Sequence, residues 1–285
     1  MRCDGMILVT GAAGQLGGDV CNVLKRNKKA FIPTDADTLD ITDEMAVRAF
    51  FESNSISAVI HCAAYTAVDK AEDEREKCFL VNETGSRNLA LCAGEKNAKM
   101  LYVSTDYVFS GNGQSPFETD DPKGPLNVYG ESKLKGENAV LENCKKAFIV
   151  RTSWVFGEKN TNFIATMLRL SKTHDELNVV NDQIGSPTYS KHLAVLLCKM
   201  VETEKFGVYH ATNEGFCSWA QLAREAFLIE KKSTKVNPVK SEEYKTRAKR
   251  PLNSRLSKVS LDLSGFERLP SWEKAVREYL SNISE

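Results

Sequence analysis

Short apolar runs rich in β-branched residues alternate along this chain with segments whose apolar residues recur at helical spacing. The runs at 6–10, 30–34, 58–62, 100–104, 147–151, 177–180 and 208–211 read as strands. Leu16, Val20, Val23 and Leu24 share one helix face, as do Phe163, Ile164, Met167 and Leu168. Such alternation predicts an α/β fold, a Rossmann-like doubly wound parallel sheet covered by helices on both faces. The regularity weakens after residue 155. Ser218 and Gln221 are placed as a capping box for a helix carrying Trp219, Leu222, Ala223, Ala226 and Phe227. A last helix is expected after Pro270 and Ser271, with Trp272, Ala275, Val276, Tyr279, Leu280 and Ile283 on its apolar face. Residues 230–258 are polar, rich in Lys and Arg, and show little periodicity.

Composition narrows the classes. Among 285 residues, Lys plus Arg and Asp plus Glu number 38 each, so no surplus basic charge serves nucleic acid or an anionic membrane. No apolar run approaches the ~18 residues of a membrane span. The start, with Arg2, Cys3 and Asp4 before a short apolar run that meets Gly11, does not read as a secretory signal. Eight scattered cysteines form no C-x-x-C pair. They read as small buried hydrophobes of a cytoplasmic protein, with redox or nucleophilic thiols as the alternative. The four histidines are equally scattered, and none is assigned to a metal.

The first strand runs into Gly11, Gly14 and Gly17, a G-x-x-G-x-x-G spacing between strand and helix. Free N–H groups and the positive dipole end of that helix suit a pyrophosphate, and glycine lets the backbone approach it. The second strand ends at Asp35, an acidic group able to bind an adenosine ribose hydroxyl or simply to begin a turn. Asp37 and Asp40 follow, and no Lys or Arg lies between Lys29 and Arg48, which favours an unphosphorylated ribose and NADH. These features predict a dinucleotide-binding core over 1–155 and a mainly substrate-binding region over 156–285, some of whose segments return to the core.

Tyr129 and Lys133 form a Y-x-x-x-K at the start of a helical segment. Residues i and i+4 share a face, so phenol and ammonium address one small volume, or form an ordinary surface pair. A neighbouring cation is expected to favour the phenolate and lower the Tyr129 pKa from about 10. Such a phenol exchanges a proton with a carbinol oxygen. Thr105 ends the strand at 100–104, at the carboxyl edge where doubly wound sheets bind ligands. Its hydroxyl either polarises a substrate carbonyl or closes a turn.

The loop with Thr105, Tyr129 and Lys133 resembles the extended short-chain dehydrogenase/reductase superfamily. The segments at 61–72, 104–109, 125–130, 151–155, 181–188 and 250–256 resemble, in order, the dTDP-4-dehydrorhamnose reductase family. That resemblance implies NADPH or NADH as cofactor and reduction of the 4-keto group of dTDP-4-dehydro-L-rhamnose to dTDP-L-rhamnose. It implies that Tyr129 protonates the oxygen, that Lys133 holds the nicotinamide ribose and that Thr105 bonds the keto oxygen. Gly14, Gln15 and Leu16 would meet the pyrophosphate, Asp35, Asp40 and Ile41 the adenosine, and Ala64, Tyr65 and Thr66 the ribose side. Val68, Asp106 and Trp154 would contact substrate, with core packing the alternative for Trp154.

Some members of that family place Mg²⁺ carboxylates at a dimer interface. Asp19 matches the first such position, but Lys191 stands at the second, so a monomer or weak homodimer without a metal bridge is expected. Lys245, Arg247, Lys249, Arg250 and Arg255 form a basic stretch from which Arg255 is expected to reach a substrate diphosphate, unless the stretch is a solvated loop. Two rival functions remain at this point: a sugar-nucleotide epimerase or dehydratase, and a non-catalytic regulatory subunit of methionine adenosyltransferase type.

Overall fold

The computed structural model describes residues 5–283. The Arg2–Asp4 stretch, with Cys3, and residues 284–285 lie outside them. Five strands come first: β1 (Met6–Thr10), β2 (Phe31–Thr34), β3 (Ile56–His61), β4 (Lys99–Thr105) and β5 (Ala147–Thr152). With a later strand, Gly207–His210, they form one six-stranded sheet. Its order from one edge is β2-β1-β3-β4-β5 and then Gly207–His210, and every pairing is parallel. The order reverses between β1 and β3, so the loops leaving those strands open a crevice at their carboxyl ends.

The strands are buried on both faces, and each face has its own apolar layer. One layer packs Val20 and Leu24 of α1 (Gln15–Arg26) with Leu193, Leu197 and Met200 of the helix Ser190–Val201. The other packs Val47 and Phe51 of α2 (Glu44–Ser53) with Leu89 and Val140. The C-terminal region has an aromatic core of its own, in which Phe156, Tyr189, Trp272 and Tyr279 meet. The Ser218–Gln221 capping box is present, and the helices Trp219–Ile229 and Trp272–Ile283 follow the apolar spacing.

Two differences from the pattern have local causes. The strand Glu176–Val180 does not join the main sheet but pairs in parallel with Lys235–Val239. That second strand falls in the stretch that looked irregular. Its Pro238 and alternating polar residues hide a strand that buries Val236 while leaving Lys235 and Pro238 outside.

The helix carrying the Y-x-x-x-K spacing, Val128–Asn143, starts where Asn127 Oδ1 accepts from the Gly130 N–H at 2.8 Å. Two glycines let it lie close. A Cβ on Gly130 would meet the Tyr107 carbonyl, and one on Gly136 would meet the Asn82 carbonyl and the Tyr102 hydroxyl. We therefore predict that Gly136→Ala forces these groups apart and lowers stability by about 1–3 kcal/mol, read from urea unfolding.

Candidate active site

β1 ends in a turn at Gly11, whose φ of +67° suits glycine. A Cβ on Gly11 would come within 2.7 Å of the Ala63 nitrogen after β3, and one on Gly17 would strike the Gly11 carbonyl. Gly14 caps α1 without a side-chain bond, so the first N–H groups of that helix lack an intrahelical partner. Asp35 accepts the Ala13 N–H with both carboxylate oxygens, at 3.0 and 2.8 Å. It thereby fastens the glycine loop to the end of β2. Asp40 accepts from the backbone and hydroxyl of Thr42.

A cavity of about 800 Å³ runs from this loop along the carboxyl ends of the strands. Gly11, Gly14, Gln15, Leu16 and Gly17 form one end of it, beside Asp35, Asp40 and Ile41. Ala64, Tyr65, Thr66 and Val68 follow β3, Thr105 and Asp106 follow β4, and Tyr129 and Lys133 face in from their helix. Trp154 and Trp219 stand at the other end. Every expected site residue but Arg255 lines this one cavity. The Arg255 guanidinium instead sits 2.9 Å from Asn253 Oδ1 and 6.0 Å from the centre of the Phe216 ring.

The rest of the basic stretch is largely committed. Arg250 grips Asp69 through two hydrogen bonds of 3.0 and 2.8 Å, and Arg247 pairs with Asp73. These ion pairs dock the stretch onto the segment after β3. Asp19 accepts from Ser190 Oγ at 2.6 Å, while Lys191 pairs with Glu158 at 2.6 Å.

The Lys133 ammonium is buried. It donates to the Val103 carbonyl at 2.8 Å and lies 3.9 Å from the centre of the Tyr102 ring. Burial brings its pKa down to about 7, against the pull of Glu137. The phenol of Tyr129 corrects the expectation drawn from its spacing. Its pKa is raised, not lowered, because enclosure disfavours the phenolate, the neighbouring Thr105 hydroxyl only partly opposes this, and the nearby Asp106 adds to it. The Lys133 ammonium is directed at Val103 and Tyr102, so the cation that was to depress Tyr129 is otherwise engaged.

Thr105 Oγ1 donates to Asp106 Oδ1 at 3.1 Å and accepts the Tyr107 N–H at 3.2 Å. Asp106 is 3 % exposed, and its Oδ2 has no hydrogen-bond partner among the described residues. Burial pushes its pKa up to about 6, with Ser254 and Thr105 opposing. Trp154 holds a left-handed backbone, φ +48°, unusual for a bulky residue and typical of constrained sites. Its ring stacks on Trp219 with centroids 3.7 Å apart.

Several supporting residues escaped the sequence. Asn82 lies in a π-helical turn, Leu80–Gly85, accepts the Tyr65 N–H at 2.8 Å and donates to Ser132 at 2.9 Å. It thus ties the loop after β3 to the Tyr129 helix. Trp219 was legible only as an apolar helix residue. A polar Asn interrupting an apolar helical stretch was the one available signal for Asn82.

Nucleotide cradle, Tyr–Lys pair and hydroxyl around one crevice define a dinucleotide-dependent oxidoreductase site of short-chain dehydrogenase/reductase type. The family model described as the RmlD substrate binding domain matches residues 5–285, and the chain belongs to that family. It is 39 % identical to a dTDP-4-dehydrorhamnose reductase of Aggregatibacter actinomycetemcomitans, covering 95 % of this chain and 97 % of the relative. It is 40 % identical to the spore coat polysaccharide biosynthesis protein SpsK of Bacillus subtilis, over 98 % of both chains. The solved dTDP-4-dehydrorhamnose reductase of Bacillus anthracis, a complex with NADP, superposes with a TM-score of 0.95 at 40 % identity, covering 98 % of this chain and 99 % of that one.

The raised Asp106 carboxyl has a consequence for stability. The folded state keeps a proton that the unfolded chain releases between about pH 4 and 6, so this group lowers stability as pH rises through that window. We predict that Asp106→Asn gains on the wild type by on the order of 2–3 kcal/mol between about pH 4 and pH 7 in paired urea titrations. A gap that does not change with pH would contradict it.

Proposed function

We propose that this chain reduces the 4-keto group of dTDP-4-dehydro-L-rhamnose to give dTDP-L-rhamnose, with NADPH or NADH as cofactor, in the cytoplasm. One observation carries the reading: Thr105, Tyr129 and Lys133 share a cavity with the glycine cradle in a chain matched end to end by reductases. The residues fit a dinucleotide, because Gly11 and Gly17, where a Cβ would strike the Ala63 backbone and the Gly11 carbonyl, keep the turn tight while the end of α1, uncapped by any side chain, faces the cavity. When bound, the cofactor supplies the hydride.

The chain's own part is to position and to donate a proton. Tyr129, held protonated by its enclosure, gives its phenolic hydrogen to the carbonyl oxygen as that oxygen gains negative charge. Lys133 spends one hydrogen on Val103 and has two left for the ribose hydroxyls. Thr105 has a single hydroxyl hydrogen, directed at Asp106. It turns to the substrate oxygen when Asp106 is protonated or accepts from a sugar hydroxyl instead. Trp154 and Trp219 supply an aromatic wall for the sugar.

The oligomeric reading is a monomer or weak homodimer without a metal bridge, supported by Lys191, whose ammonium is paired with Glu158 where a second carboxylate would be needed. Seven free thiols among the described residues suit a reducing compartment. No observation favours the epimerase, dehydratase or regulatory-subunit alternatives.

Tyr129→Phe removes only the donor oxygen and is expected to lower kcat by roughly 10²–10⁴ in an assay following loss of reduced cofactor with the keto sugar. Unchanged turnover would overturn the assignment. The acidic end of β2 further predicts that kcat/KM with NADH is at least equal to that with NADPH, and a large NADPH advantage would refute this use of Asp35.

A further inference from the structure

After the strand Lys235–Val239 the chain leaves the C-terminal region as an arm, lies against the core, and returns at Asn253–Ser254, which pairs with Ile184–Gly185. Arg250 sits in this arm and does not line the cavity. Its guanidinium meets both carboxylate oxygens of Asp69, and the Ala248 N–H donates to the same carboxylate at 3.0 Å. Asp69 belongs to the single helical turn Val68–Ala71, whose first residue is part of the cavity wall.

The arm also reaches the start of the Tyr129 helix. Asn127 is 8 % exposed and uses both ends of its amide. Its Oδ1 accepts the Gly130 N–H, while its Nδ2 donates to the Lys249 carbonyl at 2.8 Å. Beside it the Val128 N–H donates to Glu72, three residues beyond Asp69, at 2.9 Å. The first N–H groups of a helix have no partner within it, so these bonds fix where the helix begins. Tyr129 is its second residue, and its ring follows that first turn. Tyr107 stands edge-on to the Tyr129 ring with centroids 5.6 Å apart. Burial and then Asp106 push the Tyr107 phenol up, and the Arg250 charge opposes them, so the guanidinium is felt at this ring too.

We propose that Arg250 and Asn127 are positioning residues: the Arg250–Asp69 grip fixes the arm, and the Lys249 carbonyl, through Asn127, fixes the helix start that carries Tyr129. The inference rests on the proposed reductase reading for the proton that Tyr129 donates. A planar guanidinium on both carboxylate oxygens sets angle as well as distance, which an ammonium does not. The arm thereby couples the docking of the C-terminal region to the place from which the phenol acts. An error of about 1 Å in such a place costs on the order of 10² in rate.

Arg250→Met is expected to lower kcat with the keto sugar nucleotide by roughly tenfold to a hundredfold, with little change in its KM or in NADP⁺ affinity. Arg250→Lys should restore part of the loss. Hydrogen exchange of NADP⁺-loaded Arg250→Met, read by mass spectrometry, should quicken roughly fivefold to tenfold over residues 128–133 and stay unchanged over β1 and α1. Asn127→Asp keeps the helix cap and removes the amide donor, so it should reproduce both effects with the Arg250–Asp69 grip intact. This second variant decides if Arg250→Met does not fold. Wild-type kcat, or wild-type exchange over 128–133, in the folded variant overturns the coupling. If the wild type turns over no keto sugar, the reductase reading falls and the exchange measurement alone decides the positioning.

Discussion

A buried ion pair orients the whole site. Arg151 of β5 meets Glu137 of the Tyr129 helix through hydrogen bonds of 2.9 and 2.7 Å, with both side chains almost fully buried. Ser104 of β4 donates to the same carboxylate at 2.5 Å. Tyr129, Lys133 and Glu137 are spaced by four residues and form one stripe on the helix. Anchoring Glu137 against two strands therefore sets the rotation of that stripe and aims phenol and ammonium at the crevice. Such pairs add little net stability, because desolvating both charges consumes the attraction, but loss of one partner costs about 3–5 kcal/mol. Their use here is directional.

The pair also organises what lies beyond it. Arg151 donates to the Thr119 carbonyl at 2.9 Å and faces His210 on the edge strand of the sheet. Burial, and then the Arg151 charge, hold His210 neutral with a pKa near 3. Strands β4 and β5, the edge strand and the helix thus meet at one polar node inside an apolar sheet. Around the cavity the same low-dielectric surroundings work against folding. Among the described residues Asp106 leaves an oxygen without a hydrogen-bond partner, and Trp154 occupies a constrained backbone. Each is a local cost at a residue that lines the cavity.

Much of the architecture was legible because it is local. Val20 and Leu24 recur at helical spacing and do form the buried face of α1, while Met6–Thr10 is a continuous apolar run and forms a strand buried between two layers. The glycine spacing and the Tyr129–Lys133 spacing could be read because a helix and a tight turn impose fixed intervals. The Lys235–Val239 strand could not, since its identity depends on Glu176–Val180 lying beside it. The direction of the Tyr129 pKa was misread for a related reason. Spacing tells that a lysine is near, but only the packed structure shows its ammonium turned to the Val103 carbonyl and the Tyr102 ring.

By itself the sequence determined the succession of strands and helices, the glycine turn and the residues that a helix must present together, all consequences of periodicity within a few positions. Tertiary structure alone decided which charges meet: Arg250 with Asp69, Arg247 with Asp73, Arg151 with Glu137, and Lys258 with none among the described residues. Electrostatic partnership depends on distance through space, and folding brings together groups that the linear chain keeps far apart.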